Sequence, residues 1–141
     1  MTITELQTLA SSQIFDVLSL MRELDPDITV TEEMLLRAVG APGTHFFAAV
    51  DEDRIVGCAS LCVFDSPTGR KASVEDVVVG SAYRGRGIGR ALMEHIIDFA
   101  RRELAPIDMH LTSRPHRTAA NARYRSLGFV PRETNVYRLT L

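Results

Sequence analysis

The chain has 141 residues, of which 45% are hydrophobic and 24% are charged, and its formal net charge is −2. This length favours one domain with a substantial core, and the slightly negative charge argues against a dedicated nucleic-acid-binding protein. No apolar run approaches the roughly 20 residues that a membrane-spanning helix needs, and no export signal is visible. We therefore expect a single domain over residues 1–141 in the cytoplasm, with no nucleic-acid or membrane partner.

The N-terminal part is predicted to form one short strand and two helices. Residues 2–9 have weak strand character, and apolar residues then recur at helical spacing after Ser11-Ser12, a pair that can cap a helix. That helix should end near Leu24, because a turn-forming Asp-Pro-Asp follows it. Residues 29–32 have the pattern of a capping box, and the second helix should run from there to Gly40.

A β-rich meander is predicted next. Residues 45–50 and 54–64 are apolar runs separated by three acidic residues, which is the pattern of a hairpin. After a turn that contains proline and glycine, a third antiparallel strand should run over residues 72–79. The two cysteines lie in the second of these strands at a spacing that suits neither zinc nor a redox pair, and four scattered histidines predict no metal site.

The rest of the chain is predicted to add a crossover helix, a strand, a short helix and a final hairpin. The crossover helix has one apolar stripe, which consists of Ile88, Leu92, Ile96 and Phe99. A strand over 107–112 should then run parallel to the strand at 72–79, because a helix connects them. A helix over 117–126 should stop at Gly128, and residues 129–130 and 136–141 should complete the sheet as a hairpin.

The most informative stretch is residues 74–93, where a β-branched strand leads through a glycine-rich loop into a helix. The first amides of a helix lack intrahelical acceptors and its dipole favours an anion, so this stretch predicts a phosphate site. A dinucleotide-binding loop would need G-x-G-x-x-G directly after a strand, and a P-loop would need G-K-S/T; neither pattern is present. A turn without a ligand is the alternative interpretation.

Two motifs resemble the GNAT superfamily of N-acetyltransferases. The acetyl-CoA-binding pattern of that superfamily, Q/R-x-x-G-x-G/A, is matched by Arg84, Gly87 and Gly89. A second family region is similar to residues 120–129, and the residues in register are Asn121, Tyr124, Gly128 and Phe129. The resemblance implies a mixed α/β, or α+β, fold. Its central mixed, mostly antiparallel sheet would splay between strands four and five, with helices on both faces.

The resemblance also implies that acetyl-CoA is the cosubstrate and that no metal takes part. Backbone amides of the glycine loop would hold the pyrophosphate, and the preceding strand would hold the pantetheine arm and the acetyl group. The residues thereby predicted to bind coenzyme A are Val77, Val78, Val79, Arg84, Gly85, Arg86, Gly87, Ile88, Gly89 and Asn121. An arginine-rich segment over 113–132 would meet the 3′-phosphate or an anionic substrate, or would be a solvated face.

Two residues are candidates for the chemistry. An alkyl amine of pKa about 10 is mostly protonated at pH 7, so a base or a water relay is useful. Glu75 is the candidate base, since it would share a strand face with Val77 and Val79 while Asp76 would face the other way; alternatively it binds the substrate ammonium. Tyr124 occupies the position where many family members carry a tyrosine that protonates the departing thiolate; alternatively it packs beneath the last hairpin.

The resemblance therefore predicts an N-acetyltransferase that moves the acetyl group of acetyl-CoA directly to a primary amine in a ternary complex. The acceptor would be a small molecule or a protein amine, and acidic residues near the N-terminus suit a cationic acceptor; these are Glu5, Glu23, Asp25, Glu32 and Glu33. The alternatives are a non-catalytic acyl-CoA-binding regulatory module and, disfavoured by the motifs, a nucleotide-binding protein of another fold. The sequence leaves the oligomeric state open, a homodimer included.

Overall fold

A computed structural model describes all 141 residues of the chain. Its strands are β1 (Thr2–Leu6), β2 (Thr44–Asp51), β3 (Arg54–Ser66), β4 (Gly69–Val79) and β5 (Asp108–His110). Its helices are α1 (Ser11–Leu24), α2 (Glu32–Val39), α3 (Ile88–Glu103) and α4 (Thr118–Ser126), and a short 3-10 helix, Ser81–Tyr83, follows β4. The chain divides into two compact units, Met1–Leu111 and Thr112–Leu141. The single domain over residues 1–141 stays a prediction.

All five strands belong to one sheet in the order β1-β2-β3-β4-β5. The first four pair antiparallel, whereas β5 is parallel to β4, as expected for two strands connected through helix α3. Only residues 71–73 of β4 pair with β5, so residues 74–79 have no strand beside them on that side. The predicted mixed, mostly antiparallel sheet with a splay between its fourth and fifth strands is confirmed.

Helices cover both faces of this sheet. On one face, Val17 of α1 joins Phe46 and Val78 of the strands in a buried cluster to which α2 also contributes. The opposite face carries Phe47, whose ring packs edge-on against Phe99 of α3 at a centroid distance of 5.3 Å. Because Phe46 and Phe47 are neighbours in one strand, they project to opposite faces and serve the two cores. None of the helices has both the length and the apolar character needed to cross a bilayer.

A buried carboxylate fixes α1 to the β2–β3 hairpin. Asp16 is 5% exposed, and its Oδ2 accepts a hydrogen bond from the Ile55 N–H at 3.0 Å. The Arg54 guanidinium donates to both carboxylate oxygens at distances between 2.6 and 3.0 Å. The Arg54 hydrogen bonds hold the pKa of Asp16 below its ordinary value of 3.8, although burial acts in the opposite direction. Asp16 is therefore an ionised structural group of the folded chain.

The helix starts differ slightly from those predicted. Helix α2 is capped by Thr31, whose Oγ1 accepts from the Met34 N–H at 3.1 Å, so the capping residue lies two positions after Thr29. Helix α1 begins after Ala10, whose N–H donates to the Gln13 side chain at 2.8 Å. The Ser11-Ser12 pair therefore lies inside the first turn and does not cap the helix, and the Gln13 side chain instead accepts from the backbone N–H of the N-cap residue.

In the second unit, α4 ends in a Schellman motif. Gly128 has a φ of +102°, its N–H donates to the Arg125 carbonyl at 3.0 Å, and the Phe129 N–H donates to the Tyr124 carbonyl at 3.0 Å. The rings of Tyr124 and Phe129 pack edge-on at 6.1 Å, the apolar contact that usually accompanies this motif. The predicted stop at Gly128 is confirmed, and the spacing of the tyrosine, glycine and phenylalanine has a local structural cause.

The predicted final hairpin over residues 129–130 and 136–141 is wrong, because no residue after Ser126 belongs to a strand. The apolar side chains of this segment are largely exposed: Val130, Val136, Tyr137, Leu139 and Leu141. β-branched and aromatic residues favour strands mainly because their side chains pack against neighbouring strands. The amino-acid composition of this segment does not show whether a neighbouring strand is present. The packing of Tyr124 beneath such a hairpin, one of its two interpretations, therefore does not occur.

Candidate functional site

The glycine-rich stretch forms a loop that leads directly into α3. Gly85 and Gly87 both have a φ of +78°, a left-handed conformation that would cost a residue with a Cβ about 1–2 kcal/mol. Gly87 is the N-cap of α3, no side chain caps this helix, and its first turn contains no acidic residue. Gly89 differs, since it lies inside the helix and is buried. Two of the three glycines therefore have the backbone conformation that only glycine adopts readily.

The N-terminus of α3 suits an anion. Its first amides have no side-chain acceptor, and a helix of 16 residues places a partial positive charge at this end. No Cβ at Gly85 or Gly87 would meet another atom within 4 Å, so the backbone is accessible at both positions. A phosphate or pyrophosphate group is the kind of ligand that such a helix start binds.

The arginines of the loop have different surroundings. The Nε of Arg84 donates to the Val79 carbonyl at 3.2 Å, and its Nη2 lies 3.7 Å from the Glu23 carboxylate. The Arg84 side chain is therefore engaged with the end of β4 and with α1. Arg86 instead stacks over the Tyr83 ring at 5.1 Å and donates to a backbone carbonyl, without an acidic partner.

The edge of β4 that has no neighbouring strand carries the three valines predicted to contact the pantetheine arm. Val78 is 5% exposed and its side chain belongs to the core under α1 and α2. Val77 and Val79 are half-buried. Backbone groups of this stretch, rather than the Val78 side chain, are therefore what β4 can offer to a ligand lying along its open edge.

A β-bulge in β4 changes the predicted orientation of Glu75. In the register with β3, Glu75 pairs with Ser60 and Val78 pairs with Cys58, so Ala59 lies opposite two residues of β4. Directly paired residues project to the same face, which places Glu75 on the face of Val78.

The predicted sharing of one face by Glu75 and Val79 is therefore wrong. Val79 pairs with Gly57, whose added Cβ would lie 3.4 Å from Leu92 of α3, and so belongs to the opposite face. The extra residue of the bulge shifts the alternation by one position, and Asp76 has a φ of +54°. Strict alternation along the sequence could not show this.

Two consecutive acidic residues, Glu75 and Asp76, lie at the bulge, in the part of β4 that has no neighbouring strand on the β5 side. The Ser73 hydroxyl donates to Glu75 Oε1 at 2.6 Å, and neither Glu75 nor Asp76 pairs with a basic side chain. Partial burial raises the pKa of Asp76 above its ordinary value of 3.8, and the negative charge of Glu75 raises it further. Asp76 is thus a further candidate site residue, which the sequence alone did not indicate because its burial depends on the fold.

The acids near the N-terminus mostly have partners within the protein. Glu5 lies 2.8 Å from His45 Nδ1, Glu33 forms an ion pair with Arg37 at 3.1 Å, and Asp25 accepts from the Asp27 N–H. Glu23 contacts the region of the glycine loop, a role that the sequence did not indicate. These contacts weaken the expectation that the N-terminal acids receive a cationic acceptor.

In the second unit, Asn121 and Tyr124 lie on α4. The Asn121 amide donates to the Arg114 carbonyl at 3.0 Å, which ties the start of α4 to the preceding turn. Tyr124 is 8% exposed, and its hydroxyl has no hydrogen-bond partner in the protein. The Tyr124 hydroxyl is therefore available to a ligand. The arginines of this segment form no ion pairs.

Comparison with known proteins agrees with this geometry. The model of the acetyltransferase (GNAT) family matches residues 11–129. N-alpha-acetyltransferase RimI from Mycobacterium tuberculosis (strain ATCC 25618 / H37Rv) is 34% identical over 93 residues, which cover 66% of this chain and 56% of that protein. Glucosamine 6-phosphate N-acetyltransferase 1 from Oryza sativa subsp. japonica is 33% identical over 94 residues, 60% of this chain and 57% of the relative. The chain thus spans little more than half the length of these curated relatives.

Among solved structures, a candidate acetyltransferase from Agrobacterium tumefaciens str. C58 superimposes with a TM-score of 0.85 and 26% identity. The superposition covers 99% of this chain and 100% of the other. The match to the family model extends from the first residue of α1 to the end of the Schellman motif, and so includes both the glycine loop and α4. The chain belongs to the GNAT acetyltransferase family.

Proposed function

We propose that this protein transfers the acetyl group of acetyl-CoA directly to a primary amine, with both substrates bound in a ternary complex. One observation carries the proposal. In a member of this family, the part of β4 without a neighbouring strand leads through the glycine loop to the uncapped N-terminus of α3. The two curated relatives act, by their names, on an α-amine and on an amino sugar phosphate. Both acceptors are primary amines, and the acceptor of this chain is proposed only to that level.

The loop would hold the pyrophosphate of coenzyme A. The backbone N–H groups from Arg84 to Gly89 are the donors, and the left-handed conformation of Gly85 and Gly87 allows a close approach. Arg86, which has no acidic partner, would add positive charge at the rim. Asn121, which matches the second family motif, would also bind coenzyme A.

The open edge of β4 would position the thioester. A peptide-like pantetheine arm can hydrogen-bond to strand backbone that no neighbouring strand uses, and residues 77–79 provide such backbone. An amide N–H from this stretch, aimed at the acetyl carbonyl oxygen, would stabilise the negative charge that develops there during transfer. Acetyl-CoA supplies the activated acyl group, and the chain supplies orientation and charge stabilisation.

The two carboxylates at the bulge would receive the amine. An ammonium group is attracted by adjacent unpaired acids, and it must lose a proton before it can attack. We keep Glu75, directly or through water, as the proton acceptor and add Asp76 as the group that binds the cation. Glu75→Gln should then lower kcat and alter its pH profile, whereas Asp76→Asn should chiefly raise the KM of the acceptor. The opposite pattern would exchange the two roles.

Tyr124 is proposed to protonate the departing thiolate. Tyr124→Phe should lower kcat by about a hundredfold, a typical contribution of general acid catalysis, while the affinity for coenzyme A stays within about twofold. The substitution should leave stability nearly unchanged, because the ring contact with Phe129 remains and the hydroxyl has no partner to lose. Tyr137→Phe, at an exposed position, is the matched control. An unchanged kcat for Tyr124→Phe would exclude this role.

The proposed activity is tested by thiol release from acetyl-CoA across a panel of amino acids, polyamines, amino sugars and peptides. We expect coenzyme A, but neither NAD nor ATP, to raise the thermal unfolding midpoint, and at least one primary amine to support turnover. Stabilisation by NAD alone would contradict the proposal. Tight binding of coenzyme A with no turnover on any acceptor would favour the non-catalytic acyl-CoA-binding module instead.

A further inference from the structure

Glu23, in the last turn of α1, contacts a segment that follows it by 58 residues in the chain. Its Oε2 accepts a hydrogen bond from the Ser81 N–H at 2.9 Å, and its Oε1 accepts from the Ser81 hydroxyl at 3.3 Å. The same carboxylate lies 3.7 Å from the Arg84 guanidinium. One acid therefore contacts both the first residue of the 3-10 helix and the first residue of the glycine loop.

The contact with Ser81 takes the place of a local cap. Gly80 precedes the 3-10 helix and has no side chain with which to cap it. The first N–H groups of a helix need an acceptor, and a carboxylate there is favoured by the local dipole. Glu23 supplies that acceptor from helix α1. The start of the 3-10 helix is therefore held by a distant residue and not by a neighbouring side chain.

The contact with Arg84 fixes the other side of the same short segment. Since the Arg84 Nε also donates to the Val79 carbonyl, its guanidinium connects the end of β4 to Glu23. The backbone thus enters Gly85 from a residue that is held on two sides. Holding a binding loop in one conformation before the ligand arrives reduces the ordering cost of binding.

We infer that Glu23 is a positioning residue of the coenzyme A loop: it acts through Ser81 and Arg84 and does not itself bind the ligand. The inference rests on the proposed function. Removing the Glu23 carboxylate should change the affinity for coenzyme A only modestly, because the side chains of Glu23 and Arg84 are 39% and 60% exposed and solvent screens their attraction.

Electrostatic attraction alone predicts that the loss of the Glu23 carboxylate would tighten coenzyme A binding, whereas loss of a positioning contact would weaken it. Removing a negative charge near a pyrophosphate site, and releasing Arg84 from its partner, would strengthen the binding of an anion. Positioning predicts weaker binding, because the loop loses its fixed entry. The sign of the change in affinity therefore separates the two effects.

The experiment measures the Kd of coenzyme A by calorimetry, together with KM and kcat for acetyl-CoA, in four variants. Glu23→Gln removes the charge and Glu23→Ala removes the acceptor. Ser81→Pro removes both donors of Ser81, the N–H and the hydroxyl, at a first helical position that tolerates proline and after a Gly80 whose ψ of 141° suits a following proline. Asp98→Asn, in an exposed pair with Arg101 on α3, is the control.

We expect Kd to rise about threefold for Glu23→Gln and about tenfold for Glu23→Ala and Ser81→Pro, with Asp98→Asn unchanged. The KM of acetyl-CoA should follow Kd, while kcat at saturation stays within about twofold. A merely structural role would lower the unfolding midpoint but leave Kd unaltered, and that result overturns the inference. Tighter binding by Glu23→Gln, or a loss confined to kcat, overturns it as well.

The wild-type protein separates this inference from the proposed function. If it binds coenzyme A but acetylates no amine, the proposed transfer fails while the Kd series still decides the role of Glu23. If it does not bind coenzyme A at all, both proposals are wrong.

Discussion

Helix α1 is joined to the rest of its unit by one carboxylate in each half, and the two contacts differ in burial and in what they hold. Asp16 is 5% exposed and accepts hydrogen bonds from the Arg54 guanidinium and from a strand amide. Glu23 is 39% exposed in its side chain and accepts from the first amide of the 3-10 helix, with Arg84 at 3.7 Å. Both contacts consist of an acid, an arginine and a backbone N–H.

The difference shows that burial, rather than the type of partner, decides what each contact does. The Asp16 carboxylate and the Ile55 N–H are shielded from water, so leaving either of them unpaired has a large cost in stability. Around Glu23 water can replace each partner, so the contact adds little to the free energy of unfolding. Its importance lies in where it is, at the entrance of the loop that leads into α3.

The strongest way to break the Asp16 contact is Asp16→Ala. We expect the free energy of unfolding to fall by about 2 kcal/mol, because the Ile55 N–H loses its acceptor in the interior. A loss of about 3–5 kcal/mol, usual for a fully buried ion pair, is not expected, since the Arg54 side chain is 62% exposed and can be hydrated. Urea unfolding measures the loss, and the Kd of coenzyme A should not change at temperatures where the variant is folded. A weakened Kd would show that the two halves of α1 are not independent.

The pH dependence of stability identifies the charged form of Asp16 as the stabilising one. Its pKa lies below 3.8 in the folded protein, so the carboxylate is ionised there at pH values where the unfolded chain is already protonated. The stabilisation is therefore fully present above the unfolded pKa and is lost as pH falls through the lower, folded pKa. The stability difference between the wild type and Asp16→Asn should be constant from pH 7 to about pH 5 and shrink below about pH 4. A difference that is independent of pH would contradict this assignment.

The loop region was largely predictable from the sequence, because its determinants are local. Glycine at 85 and 87 permits a positive φ, and the apolar stripe after it specifies a helix without reference to the rest of the fold. The same holds for Gly128, whose left-handed conformation closes α4. These are also the positions on which the family resemblance rests.

The remaining features depend on contacts between distant residues. The bulge at Asp76 is set by the register of β4 against β3, so the alternation rule gave the wrong face for Glu75. Glu23 and Ser81 are 58 residues apart, and nothing near either residue indicates the other. The exposed segment after Gly128 has the composition of strands, but a strand also needs a neighbour, which composition cannot provide.

Gly87→Ala tests the loop side of the comparison and has a matched control. The added Cβ meets no atom within 4 Å, so only the backbone at a φ of +78° is strained, and the loss of stability should be about 1 kcal/mol. Gly69→Ala, at the first residue of β4, has equally open surroundings at a φ of +127° and should lose at least as much stability. We expect only Gly87→Ala to weaken coenzyme A binding, by about tenfold or more. Equal Kd values for the two variants would separate the loop from the ligand.

The smallest effect is expected for Ser81→Ala. The substitution removes the hydroxyl contact with Glu23 at 3.3 Å but keeps the N–H contact at 2.9 Å, which is the shorter of the two. The Ser81 hydroxyl is exposed and can bond to water instead. The unfolding midpoint and the Kd of coenzyme A should therefore change less than they do in Glu23→Gln, and Kd should change by under about twofold. Calorimetry on both variants in one buffer resolves the order. A larger effect for Ser81→Ala than for Glu23→Gln would mean that the hydroxyl, and not the backbone amide, is the group through which α1 holds the loop.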